Sequence, residues 1–138
     1  MLTDPPTKIL IVSPPGMMCD SLCNVLSGLP NIRIVAVFPL TDQLTQEIMH
    51  HRPDVVLIDC SGEVQDFELI RDLKNRLPYQ SCIAITENAN KARQAFLYGV
   101  DDVLLRGCTG YEFRVAIQKI IEQNRLSGRA AEGLGSGI

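Results

Sequence analysis

Short apolar runs bounded by turn residues alternate along the chain with longer stretches whose apolar positions recur at helical spacing. The runs predict strands at residues 8–12, 32–38, 54–58, 81–85 and 102–105. Between them, one helical stripe carries Met18, Leu22, Val25, Leu26 and Leu29, and a second carries Leu44, Ile48 and Met49 behind a Thr41 cap. A third carries Phe67, Ile70, Leu73 and Leu77, and a fourth carries Ala92, Ala95 and Phe96, closed by a left-handed Gly99. The fifth is the best marked. There Thr109-Gly110-Tyr111-Glu112 has the form of a capping box ahead of Phe113, Ile117, Ile120 and Ile121.

This alternation predicts an α/β fold of the (βα)5 type. Residues 9–12 (ILIV) and 55–58 (VVLI) are apolar at every position, as expected of parallel strands covered by helices on both faces. Right-handed crossovers then give a doubly wound, five-stranded parallel sheet in the flavodoxin-like order 2-1-3-4-5. Pro30, Pro53 and Pro78 each stop a helix just before a strand, and Pro14 or Pro15 suits the first turn of the first helix. A chain of 138 residues fits one domain at residues 7–124, between an N-terminal tail at 1–6 and a flexible tail or truncated linker at 125–138.

Composition narrows the partners. Apolar residues make up 46% and charged residues 21%, an ordinary globular balance. The net charge of −3 comes with no Lys/Arg block, which argues against direct nucleic-acid binding by this chain. No apolar run approaches the ~20 residues of a membrane span. The start MLTDPPTK lacks a signal-peptide core, so a cytoplasmic protein with no membrane contact is expected. The five cysteines have neither Cys-x-x-Cys nor zinc-site spacing and are expected as reduced, mostly buried thiols.

In such a sheet, ligands bind beyond the carboxyl ends of the strands. Those ends carry Ser13 and Pro14 after strand 1, Asp59 and Cys60 after strand 3, Thr86 after strand 4 and Arg106 after strand 5. Asp59 is the most informative residue. A carboxylate directly after four apolar strand residues is costly unless it is solvated, paired or metal-bound.

Six phrases carry a family resemblance: Lys8-Ile-Leu-Ile-Val12, Ile32-Arg-Ile-Val-Ala-Val37, Arg52-Pro-Asp-Val-Val-Leu-Ile-Asp59, Leu69-Ile-Arg-Asp-Leu-Lys74, Ile83-Ala-Ile-Thr86 and Tyr98-Gly-Val-Asp-Asp-Val-Leu-Leu-Arg106. Over about residues 7–123 the chain resembles the receiver domain of two-component response regulators, with the flavour of receivers attached to LuxR-type helix-turn-helix regulators. The resemblance implies that Asp59 stands at the phosphoacceptor position served by a histidine kinase. It further implies that Thr86 and Arg106 stand at the positions that contact the phosphoryl group, Arg106 in place of a lysine. Such a site spreads the developing negative charge onto Mg²⁺ and a cation.

The departures are concentrated at the same site. Ser13 and Pro14 stand where the resemblance implies two Mg²⁺-binding acids, so Mg²⁺ binding is expected to be weak or absent and no metal or other cofactor is expected. Gly62 and Glu63 replace a Met-Pro, Phe67 replaces a glycine, Gly107 a frequent proline, and Val103 the aromatic switch residue. The favoured arrangement is a salt bridge between Asp59 and Arg106 in the place of metal and phosphate. The alternatives are two solvated side chains, or Glu63 acting as a substitute metal ligand.

Cys60 with Cys108, and Cys19 with Cys23, are read as packing rather than redox or metal pairs, and His50-His51 as favourable charges at a helix end. The resemblance puts the partner face on helix 4, strand 5 and helix 5, with Asn90, Lys91, Arg93 and Tyr98 on or near it. The expected function is a signal-transduction module, not an enzyme. It would act by protein contact or dimerisation, and on transcription only through an output domain, for which the residues after helix 5 leave no room. One alternative is a receiver phosphorylated on Asp59. Another, of a different class, is a flavodoxin-like redox or ligand-binding protein, for which Ser13-Pro14-Pro15-Gly16 is a poor phosphate loop.

Overall fold

The computed structural model describes residues 5–60 and 63–128. Its elements follow the order β1 (Thr7–Val12), α1 (Met17–Ser27), β2 (Ile32–Phe38), α2 (Leu44–His51), β3 (Val55–Asp59), α3 (Val64–Arg76), β4 (Ser81–Thr86), α4 (Ala89–Leu97), β5 (Asp102–Leu105) and α5 (Gly110–Gln123). The five strands form one parallel sheet in the order β2-β1-β3-β4-β5, as the alternation predicts. Helical winding continues past α5 as one π-turn at Asn124–Gly128, where the sequence suggests a tail. The remaining tail positions, 1–4 and 129–138, and Gly62 lie outside the described residues.

Strand alternation builds two cores, one on each face of the sheet. Ile9, Ile11, Val55, Leu57, Ile83 and Ile85 point to the side covered by α1 and α5. Leu10, Val12, Val56, Ile58, Cys82 and Ala84 point to the side covered by α2, α3 and α4. Each fully buried Ile, Leu or Val contributes about 1.5–3 kcal/mol relative to exposure, so these central strands dominate the stability of the fold. The edge strand β2 is only half-buried and holds one extra residue between its pairings with Ile9 and Leu10.

Three helices turn outward residues that their periodicity places on the inner stripe. In α1 the buried residues are Cys19, Leu22 and Leu26, while Met18 and Val25 are exposed. In α2 and α4, Met49 and Phe96 face outward. Helix α1 also starts after both prolines, with Gly16 as its N-cap at φ +145, a conformation L side chains rarely adopt. Thr41 does not cap α2; its hydroxyl accepts from the Gln43 N–H at 3.3 Å, and Gln43 is the N-cap. The capping box on α5 forms as expected, with Thr109 and Glu112 each accepting from the other's backbone N–H.

Candidate functional site

Strand register places the site residues side by side. Val12 pairs with Ile58, so the next residues, Ser13 and Asp59, are neighbours where β1 meets β3. Thr86 pairs with Leu105, so Glu87 and Arg106 are neighbours where β4 meets β5. The Arg106 backbone N–H donates to the Thr86 carbonyl at 2.8 Å and extends this pairing beyond the strand end.

Asp59 closes β3 as its last residue, with its side chain only 7% exposed. Both carboxylate oxygens are occupied by donors of the chain itself. Arg106 Nη2 lies 2.8 Å from Oδ1, and the Ser13 hydroxyl donates to Oδ2 at 3.2 Å. Ser13 is buried and has a longer contact, 3.3 Å, with the Pro14 carbonyl. The side chain that follows β1 therefore donates to Asp59, where two carboxylates would have repelled it. Pro14 is exposed and supplies no N–H.

Arg106 is shared between two acids. Its Nη1 lies 3.5 Å from Glu87 Oε1, and Glu87 Oε2 lies 3.6 Å from Lys91 Nζ on α4. The remaining guanidinium nitrogen, Nε, is buried without a hydrogen-bond partner. Thr86 is fully buried, and its hydroxyl donates to the Asn88 carbonyl at 3.4 Å rather than opening toward Asp59. Asn88 in turn caps α4, accepting from the Lys91 N–H at 2.9 Å. The ends of β4 and β5 thus position the first turn of α4.

These residues do not fit a Mg²⁺ site. The ion takes near-octahedral oxygen ligation and normally relies on one or two free carboxylates. Here one buried carboxylate already holds a guanidinium and a hydroxyl, and its neighbours are a serine used as donor and a proline. Among the described residues no group of three or more His, Cys, Asp or Glu side chains is placed to hold a metal ion. Glu63 is an exposed residue at the N-cap of α3.

The structure brings Ser13, Asp59 and Arg106 together and leaves the Thr86 hydroxyl turned away. The sequence reading missed Glu87 and the donor role of Ser13. Strand register holds the signal for both, since residues one step beyond a paired position face each other. Among the thiols, Cys60 and Cys82 are buried and Cys108 is half-buried, and none of the three is in a disulfide. Burial, and then the nearby Glu112, pushes the Cys108 thiol up. Cys23 is raised likewise by burial first and then by Cys19. His51 lies 3.7 Å from Glu47 at the end of α2. Tyr98 is half-buried, stacked on Phe67 at 5.3 Å between ring centroids, with the Arg71 guanidinium 4.2 Å from its ring centre.

The fold has well-populated relatives among solved structures. It matches a two-component response regulator of the LuxR family from Aurantimonas sp. with a TM-score of 0.74 at 17% identity, over 86% of each chain. It matches a CheY-like protein, TadZ, from Pseudomonas aeruginosa with a TM-score of 0.69 at 18% identity, over 83% of this chain and 98% of that one. A protein linked by its name to pilus assembly in Burkholderia pseudomallei gives a TM-score of 0.76 at 20% identity, over 85% of this chain and 90% of the other. No family model and no curated protein sequence matches the chain. The architecture is the CheY-like receiver fold of response regulators.

Proposed function

We propose that this chain is an atypical receiver, a regulatory module of signal transduction that works by protein contact and without Mg²⁺-dependent phosphorylation. One observation carries the reading: both oxygens of Asp59 are held by Arg106 and Ser13. Phosphoryl transfer needs a free, in-line carboxylate oxygen and a cation to gather charge in the transition state. Arg106 already compensates the charge of the carboxylate, and its planar fork is larger than the ammonium it replaces. The chain then acts as a binding module, not an enzyme, and uses no cofactor.

The contact face in this reading is α4, β5 and α5, which meets a protein partner or a second copy of the chain. Phe96 and Leu97 on α4, Leu105 at the end of the edge strand β5, and Tyr111 and Val115 on α5 all expose apolar surface; Leu97 is 79% exposed. Large apolar side chains left exposed on these three elements favour a partner over water. Cytoplasmic placement accords with the absence, among the described residues, of any helix long and apolar enough to cross a membrane. The same fold occurs in a LuxR-family response regulator and in a protein linked by its name to pilus assembly, which supports a regulatory role; control of transcription through an output domain outside these residues is part of the same proposal.

Sedimentation velocity tests this reading. Addition of Mg²⁺ and a small phosphodonor leaves the distribution of species unchanged. A shift seen in the natural chain and lost in Asp59→Asn would establish the alternative, a conventional receiver switched by phosphate on Asp59.

A further inference from the structure

We propose that Cys19 and Cys23 on α1 form a two-thiolate site for a soft, linearly coordinated monovalent cation of the Cu(I) class. The site shares no residue with the Asp59 crevice, so it stands or falls apart from the function proposed above. Positions i and i+4 of a helix lie on one face with Cβ atoms about 5–6 Å apart, and these two thiols are within hydrogen-bonding reach of each other. Cys19 is buried and Cys23 half-buried, and neither is in a disulfide. The sequence suggests simple packing for both; the structure instead sets them side by side at the boundary between core and solvent.

The surroundings select the ligand. Leu26 continues the buried stripe on one side of the pair, Cys23 packs on the rim of the core under α1 and α5, and Asp20, Asn24 and Ser27 are exposed on the other side. Helical side chains lean toward the N-terminus, where Gly16 stands one turn before Cys19. Gly16 has no side chain, and a Cβ added there would meet nothing within 4 Å, so the pair is open to an entering ion. Burial, then Cys19, then Asp20 push the Cys23 thiol up, because two adjacent thiolates beside a carboxylate repel. A bound cation removes that repulsion by taking both sulfurs as thiolates. Among the described residues no group of three or more His, Cys, Asp or Glu side chains is placed to hold a metal ion, which rules out the fourfold ligation of structural Zn²⁺. What remains is an ion satisfied by two sulfurs in line, and soft sulfur ligands select Cu(I).

On binding, each thiol releases its proton to solvent as its sulfur bonds the ion; no electron is transferred and the metal stays Cu(I). The bridge links two successive turns of α1. Anaerobic titration of the reduced full chain with Cu(I), in competition with a colorimetric Cu(I) chelator, measures the site. The natural chain takes one ion from the chelator and gains thermal stability, because the ion binds the folded pair. Cys23→Ser loses at least about 100-fold in affinity, since even a residue that only supports a metal ligand is worth about 10–100-fold. Cys108→Ser, which removes the other half-buried thiol, binds as the natural chain does. Iodoacetamide labelling of the natural chain, mapped by peptide mass, needs no substitution: Cu(I) shields Cys23 and leaves the labelling of Cys108 unchanged. Equal affinity in Cys23→Ser, loss of binding in Cys108→Ser, or Cys23 still open to the reagent with Cu(I) bound would overturn the proposal.

Discussion

Replacing Arg106 with Met removes the cation while keeping most of the apolar stem, so the substitution isolates the charge. It leaves Asp59, 7% exposed, with only the Ser13 hydroxyl as donor. Removing one partner of a fully buried pair costs about 3–5 kcal/mol. Arg106 is 30% exposed and water reaches its side of the pair, so the expected loss is about 2–3 kcal/mol. For a chain of this length that loss lowers Tm by about 6–12 °C. Asp59→Asn alone is milder, about 1 kcal/mol, because Arg106 keeps Glu87 and some solvent. The double variant Asp59→Asn/Arg106→Met is then more stable than Arg106→Met alone, since the unpaired buried charge is gone. Urea unfolding followed by circular dichroism measures all four corners of this cycle. Arg106→Met within about 0.5 kcal/mol of the natural chain, or no recovery in the double variant, would mean a solvated aspartate and refute the pair as a structural element.

Two further predictions concern the frame around the site. Burial pushes the Cys82 thiol up to about 12, with Lys74 opposing and Asp101 adding to the rise. The unfolded thiol ionises near its ordinary value of 9.0, so this group's contribution to stability is complete below that pH and declines as pH rises toward about 12. The natural chain should lose stability across that window faster than Cys82→Ala, and native Cys82 should resist thiol reagents at pH 8; rapid labelling there would contradict the burial. Gly99, at φ +113 with the Lys74 side chain 3.3 Å from an added Cβ, should lose about 1–2 kcal/mol on substitution by alanine, read from the urea midpoint.

Much of the fold is legible because its signals are local. Proline before each of three strands, alternating burial on two faces and the Thr109–Glu112 box all act within a few residues of chain. Helix faces were harder to assign. The stripe through Met18 and Val25 and the observed one through Cys19 and Leu26 differ by one position, and both satisfy a 3.6-residue period. The small thiol takes the core position, and the flexible methionine is left outside. Outward Phe96 breaks the amphipathic rule in the region where a partner face is proposed. At the site, residue types suggested an Asp59–Arg106 pair, but Ser13 as donor and Glu87 as second acid depend on strand pairing between distant segments. Composition and periodicity carry no such register information. The orientation of the Thr86 hydroxyl depends on the Asn88 carbonyl, which sequence alone does not place.

The central claim is that the Asp59 carboxylate is already satisfied within the protein and does not accept a phosphoryl group. Intact-mass spectrometry after incubation with Mg²⁺ and a small phosphodonor measures this directly, with Asp59→Asn as the control. The natural chain retains its unmodified mass. A stable adduct of one phosphoryl group that disappears in Asp59→Asn would contradict the account.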